Sequence, residues 1–374
     1  MNYDKRKMGR LLTGSAVPVL FLVISIIAIP LSQFSGIYLA DQIVTRLVRN
    51  SFLVLSLLLP IMAGMGINFG MTLGAMAGQI GLIFINDWGV GGAWGLMLAA
   101  LVSTPIAIVL GYFGGVVLNR AKGREMITSM MLGLFISGIY QFFLLYVCGS
   151  LINFKNPGML LSRGYGVRNA LNLATAKGFD NLWMIRIGSA SEGVNIPLGT
   201  FMIIGLLCLF TFWFRKTKLG HDMRAVGLEM NVSDSAGINV EKTRIQSIVI
   251  STVLACYGQI IYLQNIGTLN TYNGADQAAL FAAASLLVGG ATVARATIPN
   301  AIIGTILFHL MFIVMPMAGK YITGQAMIGE YFRMFISYGV VTTALILHSW
   351  KRQKDKDMDR RMLRLDTGGK NNVK

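Results

Sequence analysis

Apolar residues do not alternate or recur on one face along most of this chain; they run on, in stretches of about 20, the length that crosses ~30 Å of hydrocarbon as a helix. The runs predict ten spans: Leu11 to Leu31, Ser51 to Phe69, Gly70 to Ile85, Gly91 to Leu118 and Met126 to Gly149, then Pro197 to Phe214, Ile245 to Ile266, Ala278 to Ala294, Pro299 to Ala318 and Tyr331 to Ser349. The third and eighth are short and rich in Gly or Ala, as re-entrant or broken helices are. Irregular backbone is tolerated at membrane depth where protein covers it. Runs this continuous exclude the alternating strands of a barrel. The fold class is therefore all-α, a polytopic bundle forming a single domain over residues 1–350, with a basic tail over 351–374.

Composition agrees. Of the 374 residues 54% are hydrophobic and 13% charged, too little charge for a water-soluble surface of this size. Lys5, Arg6 and Lys7, the stretch from Arg215 to Arg244 and the tail carry most of the basic residues, which places both termini on the cytoplasmic face. The net charge of +16 is then largely topological, and a nucleic-acid partner is not expected. The first span has a long apolar core and no Ala-x-Ala-like site, so it reads as a retained span, not a cleaved signal.

Three polar segments interrupt the pattern. Gln33 to Arg49 mixes Ile37, Leu39, Ile43 and Leu47 with Asp41, Arg46 and Arg49, and predicts a short interfacial helix. Leu151 to Ile196 is the largest external piece, either a docking surface or a mobile, lid-like loop. Residues 215–245 form the longest polar stretch between two spans on the cytoplasmic side, a position suited to meeting a soluble partner.

Candidate chemistry is sparse. No G-x-x-x-x-G-K-S/T loop occurs, so the chain holds no ATP by itself. Cys148, Cys208 and Cys256 lie apart inside spans, with no metal-ligand spacing. No nucleophile, base and acid share a depth as an intramembrane enzyme needs, and His309 is the single group in a span that titrates near neutrality. With the spans drawn as above, no Asp, Glu, Lys or Arg falls at the middle of one, which argues against an ion-coupled carrier. The spans do carry amides and a hydroxyl, Asn68, Thr72, Gln79, Gln141, Gln259, Gln264 and Asn300, beside Gly64, Gly66, Gly70, Gly74 and Gly78. Uncharged donors and acceptors of this kind suit the passage of a neutral polar solute, although glycines at this spacing also serve plain helix packing.

Thr217 to Gly220, Arg224-Ala225-Val226-Gly227 and Ala236-Gly237-Ile238-Asn239-Val240 resemble the cytoplasmic signature of permease subunits of ABC importers of the ribose, branched-chain amino acid and nucleoside type. Ser285-Leu286-Leu287-Val288-Gly289-Gly290-Ala291 with Gly304-Thr305, and Gly66-Ile67-Asn68-Phe69-Gly70 with Gly74, are similar to the family's glycine segments. His221, Val232-Ser233 and Ala294-Arg295-Ala296 depart from its pattern. The resemblance implies a coupling helix from Glu229 to Ala236 that sits in a groove of a separate ATPase subunit, with Arg224 and Gly227 shaping the approach and Asn231, Ser233, Asp234 and Gly237 along it. It also implies a second permease subunit, identical or not, and an extracytoplasmic solute-binding protein, in a bacterial cell membrane. ATP would be bound by the partner, with no cofactor in this chain. A simple sugar or nucleoside is the expected solute. A branched-chain amino acid is the alternative, and an ion-coupled secondary transporter is the rival class.

Overall fold

The computed structural model describes residues 2–188, 193–325 and 327–335, with a few isolated positions beyond; side chains are described from Val17 onward. Helix α1, Asn2–Ser32, sets Phe21, Ser25, Ala28 and Ser32 on one buried stripe while Val19, Leu20, Leu22 and Ile26 face outward. That stripe lies against α12. A turn through Gln33, at φ 57°, leads to Ser35, whose hydroxyl accepts from the Tyr38 N–H and starts α2, Gly36–Ser56.

Here the structure corrects the sequence pattern. Residues 36–49 are not a separate interfacial helix but the first half of a span. α2 runs unbroken through them, and after one turn at Leu57 the short α3, Leu58–Met62, extends the apolar span to 27 residues, Gly36–Met62. Arg46 and Arg49 consequently lie near the middle of a span. Propensity and mixed polarity hid this, because the buried face of α2 is carried by few residues before Val48 and by nearly all of them after it.

The irregular turn Ala63 to Gly70 precedes α4, Met71–Asp87, which is buried at almost every position. Glycine makes that possible: a Cβ on Gly74 would fall 2.1 Å from the Thr252 carbonyl oxygen and one on Gly78 2.6 Å from that of Cys256, so α10 can press its backbone against α4. α5, Gly92–Arg120, and α6, Glu125–Phe142, follow, and α6 closes in a π-turn over Phe143–Val147. α7 is Leu198–Phe214. It bends by 72° into α8, Lys218–Leu228, which is followed by α9, Met230–Ser235, and α10, Val240–Ile266. The bundle ends with the short α11, Ala278–Val288, and α12, Ile298–Thr323; residues 327–335 are again helical. α10 is the hub, packed on α5, α4 and α2, and its 27 residues span about 40 Å at 1.5 Å per residue.

Among the described residues, five helices are long and apolar enough to cross a membrane, or six if α7 and α8 count as one bent span. α4 and α11 are shorter than a crossing, in keeping with the short third and eighth segments expected. The expected span Tyr331 to Ser349 and the tail 351–374 lie largely or wholly outside the described residues.

At one end of α10 the long segment after α6 forms a packed cap. β1, Ala170–Asn172, pairs antiparallel with β4, Thr268–Asn270, and β2, Met184–Gly188, pairs with β3, Gly193–Pro197. Met159, Val167, Leu171 and Leu173 are buried in the same cluster as Leu82, Leu96 and Ile260. Asp180, 3% exposed, accepts from Gln264 Nε2 at 2.9 Å, from Asn265 Nδ2 at 2.7 Å and from the Thr200 hydroxyl, which ties the cap to α10 and α7.

Candidate functional site

Two places in the bundle combine polarity with shape: a cavity between four helices, and the α8–α9 stub at the opposite end of α10 from the cap.

The cavity has a volume of about 190 Å³ and is enclosed by α2, α10, α11, α12 and the turn before α11. Asn50 comes from α2, Gln259 and Tyr262 from α10, Asn273 and Gln277 from the turn. Phe281, Ser285 and His309 complete the wall. Helical spacing explains the set: Phe281 and Ser285 stand four apart on α11, and Gln259 and Tyr262 three apart on α10, so each pair shares a face. Asn50 Nδ2 is held by the Arg46 carbonyl oxygen at 2.8 Å, and Gln259 Nε2 donates to the Gly274 carbonyl oxygen at 3.2 Å.

What those bonds leave over is informative. Gln259 Oε1, the Ser285 hydroxyl and both ring nitrogens of His309 are buried and have no hydrogen-bond partner among the described residues. Buried polar atoms are paired as a rule, and an unpaired one costs about 1–3 kcal/mol. Together they offer an acceptor, a hydroxyl and an imidazole, the complement of a hydroxylated solute or of water standing in for one. Among the described residues no carboxylate lines the cavity. Positive charge is close by: Arg46 and Arg49 of α2, and Arg333 of the 327–335 helix, lie near enough for their fields to act on the His309 ring.

Of the seven side chains expected along a path, Gln259 alone lines this cavity. Asn68 accepts from the Gly70 N–H at 2.9 Å and shapes the entry to α4, beside Thr72, whose hydroxyl reaches the Phe69 carbonyl oxygen at 3.3 Å. Gln79 and the Thr271 carbonyl oxygen both lie 2.8 Å from the Tyr140 hydroxyl, a junction of α4, α6 and the turn after β4. Gln141 is half-buried on α6. Gln264 tethers the cap. Asn300 Nδ2 donates to the Gly289 carbonyl oxygen at 2.7 Å, fastening α12 to the end of α11. Asn50, Asn273, Gln277 and Ser285 escaped the sequence reading. Asn50 stood between the segment taken as interfacial and the expected second span, the two turn residues stood between spans, and a lone serine in an alanine-rich helix gives no signal.

The stub is built from a capped helix and a sharp break. Thr217 accepts from the Gly220 N–H at 3.2 Å to open α8, whose Met223 and Val226 turn inward. Gly227 lies against the α3–α4 turn at Gly64. At Glu229 the backbone is extended, φ −155° and ψ 108°, so α9 sets off in a new direction. Ser233 is buried, its hydroxyl donating to the Glu229 carbonyl oxygen at 2.8 Å. Glu229, Asn231, Asp234, Ala236 and Gly237 are exposed, together with the large apolar side chains of Leu228 and Val232 at 75% and 66%. Arg224 turns back on its own helix, Nη2 donating to the Arg215 carbonyl oxygen at 3.1 Å and meeting His221 Nδ1 at 2.8 Å. Behind the stub, Arg244 of α10, fully buried, forms an ion pair with Glu125 of α6 and touches Met230 Sδ at 3.1 Å. No sequence pattern signals this pair, since its members stand at the ends of two distant helices.

Residues 39–345 match the protein family described as the branched-chain amino acid transport system / permease component. The chain is 28% identical over 165 residues to the nucleoside ABC transporter permease protein NupB of Lactococcus lactis, covering 44% of this chain and 42% of that one. It is 26% identical over 226 residues, 60% of each chain, to the galactofuranose transporter permease protein YtfT of Escherichia coli. It is 30% identical over 103 residues, 28% of this chain and 27% of the other, to the xylose transport system permease protein XylH of Haemophilus influenzae. The matched stretches thus span from about a quarter to three fifths of these relatives. No solved structure matches the chain significantly.

Proposed function

The chain belongs to the permease family of branched-chain amino acid transport systems, and from that premise we propose that it is the membrane-spanning subunit of an ATP-driven importer for a sugar or nucleoside. The observation that carries the reading is the buried cavity with its unpaired Gln259, Ser285 and His309 atoms, enclosed by the short α11 and by three helices long and apolar enough to cross a membrane. A solute in that cavity replaces hydrogen bonds to water with bonds to these groups. Relatives named for nucleoside, galactofuranose and xylose support the substrate class. A branched-chain amino acid fits less well, because its ammonium group finds no carboxylate in the cavity wall.

The mechanism we infer is alternating access in the cytoplasmic membrane of a bacterium, by a pair of such subunits. A separate ATPase subunit grips the exposed stub from Glu229 to Gly237 on the cytoplasmic side. Closure of the ATPase dimer moves α8 and α9. The motion reaches the bundle through two contacts, Gly227 on the α3–α4 turn and Arg244 on Glu125. The cavity then exchanges one face of the membrane for the other. An extracytoplasmic binding protein delivers the solute at the cap end.

Uptake of labelled sugars and nucleosides by cells expressing the chain with a neighbouring ATPase and binding protein tests this. Uptake that stops when the ATPase is inactivated supports it. Uptake by the chain alone, driven by an ion gradient in proteoliposomes, refutes it in favour of a secondary transporter.

A further inference from the structure

The redrawn second span puts two guanidinium groups inside the bundle, and among the described residues no carboxylate is paired with either. Arg46 and Arg49 stand three apart on α2, so they share a face; Arg46 lies one turn before Asn50 of the cavity wall and Arg49 directly precedes it in sequence. Both are half-buried, and the Nε atom of each is shielded and without a hydrogen-bond acceptor. Among the described residues the ion pairs are Arg244 with Glu125 and Arg333 with Glu330; neither Arg46 nor Arg49 has one. The single carboxylate on their own helix, Asp41, is taken up by Asn195, whose N–H donates to it at 2.8 Å.

Cations at membrane depth are retained where a counter-charge meets them, in the protein or in what it binds. Here the described residues supply none, while the cavity is adjacent. The Arg49 guanidinium lies 5.3 Å from the centre of the Tyr262 ring, and Tyr262 is itself part of the cavity wall. A planar guanidinium fork pairs best with a two-oxygen anion, such as carboxylate or phosphate.

We propose that Arg46 and Arg49 form an oxyanion site at the edge of the cavity, and that the solute of this permease is a sugar or nucleoside bearing a carboxylate or phosphate group. The proposal rests on the cavity being the solute site. It replaces the neutral solute expected from uncharged spans, because that expectation depended on leaving Arg46 and Arg49 outside them. An anionic lipid headgroup carries the same chemistry and is the second source to test.

The test uses the whole chain in nanodiscs of phosphatidylcholine alone, read by thermal unfolding. The probes are inorganic phosphate and matched pairs: glucose against glucose 6-phosphate, glucose against glucuronate, uridine against uridine monophosphate. The acidic member of at least one pair is expected to raise the midpoint at tenfold or more lower concentration than its neutral partner. Arg46→Gln and Arg49→Gln abolish that advantage, whereas Gln259→Leu weakens both members alike. Where Arg→Gln fails to fold, Arg49→Lys keeps the charge without the fork and reduces the advantage. If acidic and neutral members act alike in the wild type, and Arg49→Gln changes nothing, the oxyanion site is refuted while the cavity reading stands. If Gln259→Leu leaves every response untouched but the arginine variants do not, the cavity reading fails and the oxyanion site survives apart from it. Phosphatidylglycerol that stabilises the wild type and not Arg49→Gln, with no response to any soluble anion, assigns the site to lipid and overturns the solute class. No response to any anion, soluble or lipid, overturns the proposal entirely.

Discussion

Gly227 and Gly64 meet backbone to backbone: a methyl group on Gly64 would stand 2.8 Å from the Gly227 Cα, and one on Gly227 would stand 2.3 Å from the Met62 carbonyl oxygen. α8 is therefore seated directly on the turn between α3 and α4, with no side chain between. Rigid seating of this kind is what the transfer of a push requires, since a flexible side chain would absorb it.

Gly227→Val forces that contact apart, and overpacking of a close contact costs about 1–3 kcal/mol. The protein should still reach the membrane, with solute uptake falling about tenfold or more for the same energy. Uptake normalised to membrane-inserted protein, alongside ATPase activity of the assembled transporter, checks it. Unimpaired uptake removes the Gly227 contact from the coupling route.

The break between α8 and α9 makes a second prediction. Glu229 has φ −155° and its N–H donates to the Ala225 carbonyl oxygen at 3.1 Å; proline allows neither. Gly237 sits at φ 83°, which a tryptophan adopts only with strain, and the new ring would also project from an exposed surface. Glu229→Pro and Gly237→Trp should uncouple ATP hydrolysis from uptake with expression intact. Normal uptake in both rejects the stub as the coupling element.

The buried Arg244–Glu125 pair should behave asymmetrically. Arg244→Met alone leaves a shielded carboxylate without its partner and should destabilise the protein by about 3–5 kcal/mol. The double variant Arg244→Met with Glu125→Leu should recover most of that loss. Thermal unfolding in detergent measures both. A double variant no better than the single one shows that the site needs the pair for more than charge balance.

Within the cavity, Ser285→Ala removes a hydroxyl that the protein itself leaves unpaired, and Gln259→Leu removes an unpaired oxygen together with the amide that donates to the Gly274 carbonyl oxygen. Hydrogen bonds to solute at about 1 kcal/mol apiece correspond to losses of about fivefold in apparent affinity. Stability should hold or rise slightly in Ser285→Ala, because an unsatisfied atom goes, and fall by about 1 kcal/mol in Gln259→Leu, which also loses a hydrogen bond. Concentration dependence of uptake, compared with the unfolding midpoint, distinguishes solute contact from structural damage.

Asp180→Ala orphans three donors at once, on Gln264, Asn265 and Thr200. The cap should loosen from α10 and α7 while the membrane bundle stays assembled. Cys148, wholly buried beneath the cap, reports on this through maleimide labelling, slow in the wild type and fast in the variant.

The helical class was legible because unbroken apolar runs have one structural solution in lipid. The stub was legible for the converse reason, as polar residues between two such runs have nowhere to go but water. The second span was misplaced because its first half, Gly36 to Arg49, carries Asp41, Arg46 and Arg49, and hydropathy cannot tell a charge facing a protein interior from one facing water. The amides misled in the same way. Asn300, Gln264 and Gln259 look equivalent in sequence, and Gln264 like Gln259 spends its donor and keeps an oxygen unpaired, yet of the three Gln259 alone lines the cavity. Which neighbours a donor meets is settled by packing, and periodicity does not carry it.

The enclosure of α4 bears on how such a chain is made. A helix wrapped by its own protein, with α10 pressed to its glycines and α5 and α6 beside it, has almost no surface to offer to lipid. It leaves the ribosome long before α10 does. Until α10 arrives, that helix must wait in the membrane half-clad or be held by the insertion machinery, so the late synthesis of α10 sets the moment at which the bundle first becomes a folded object.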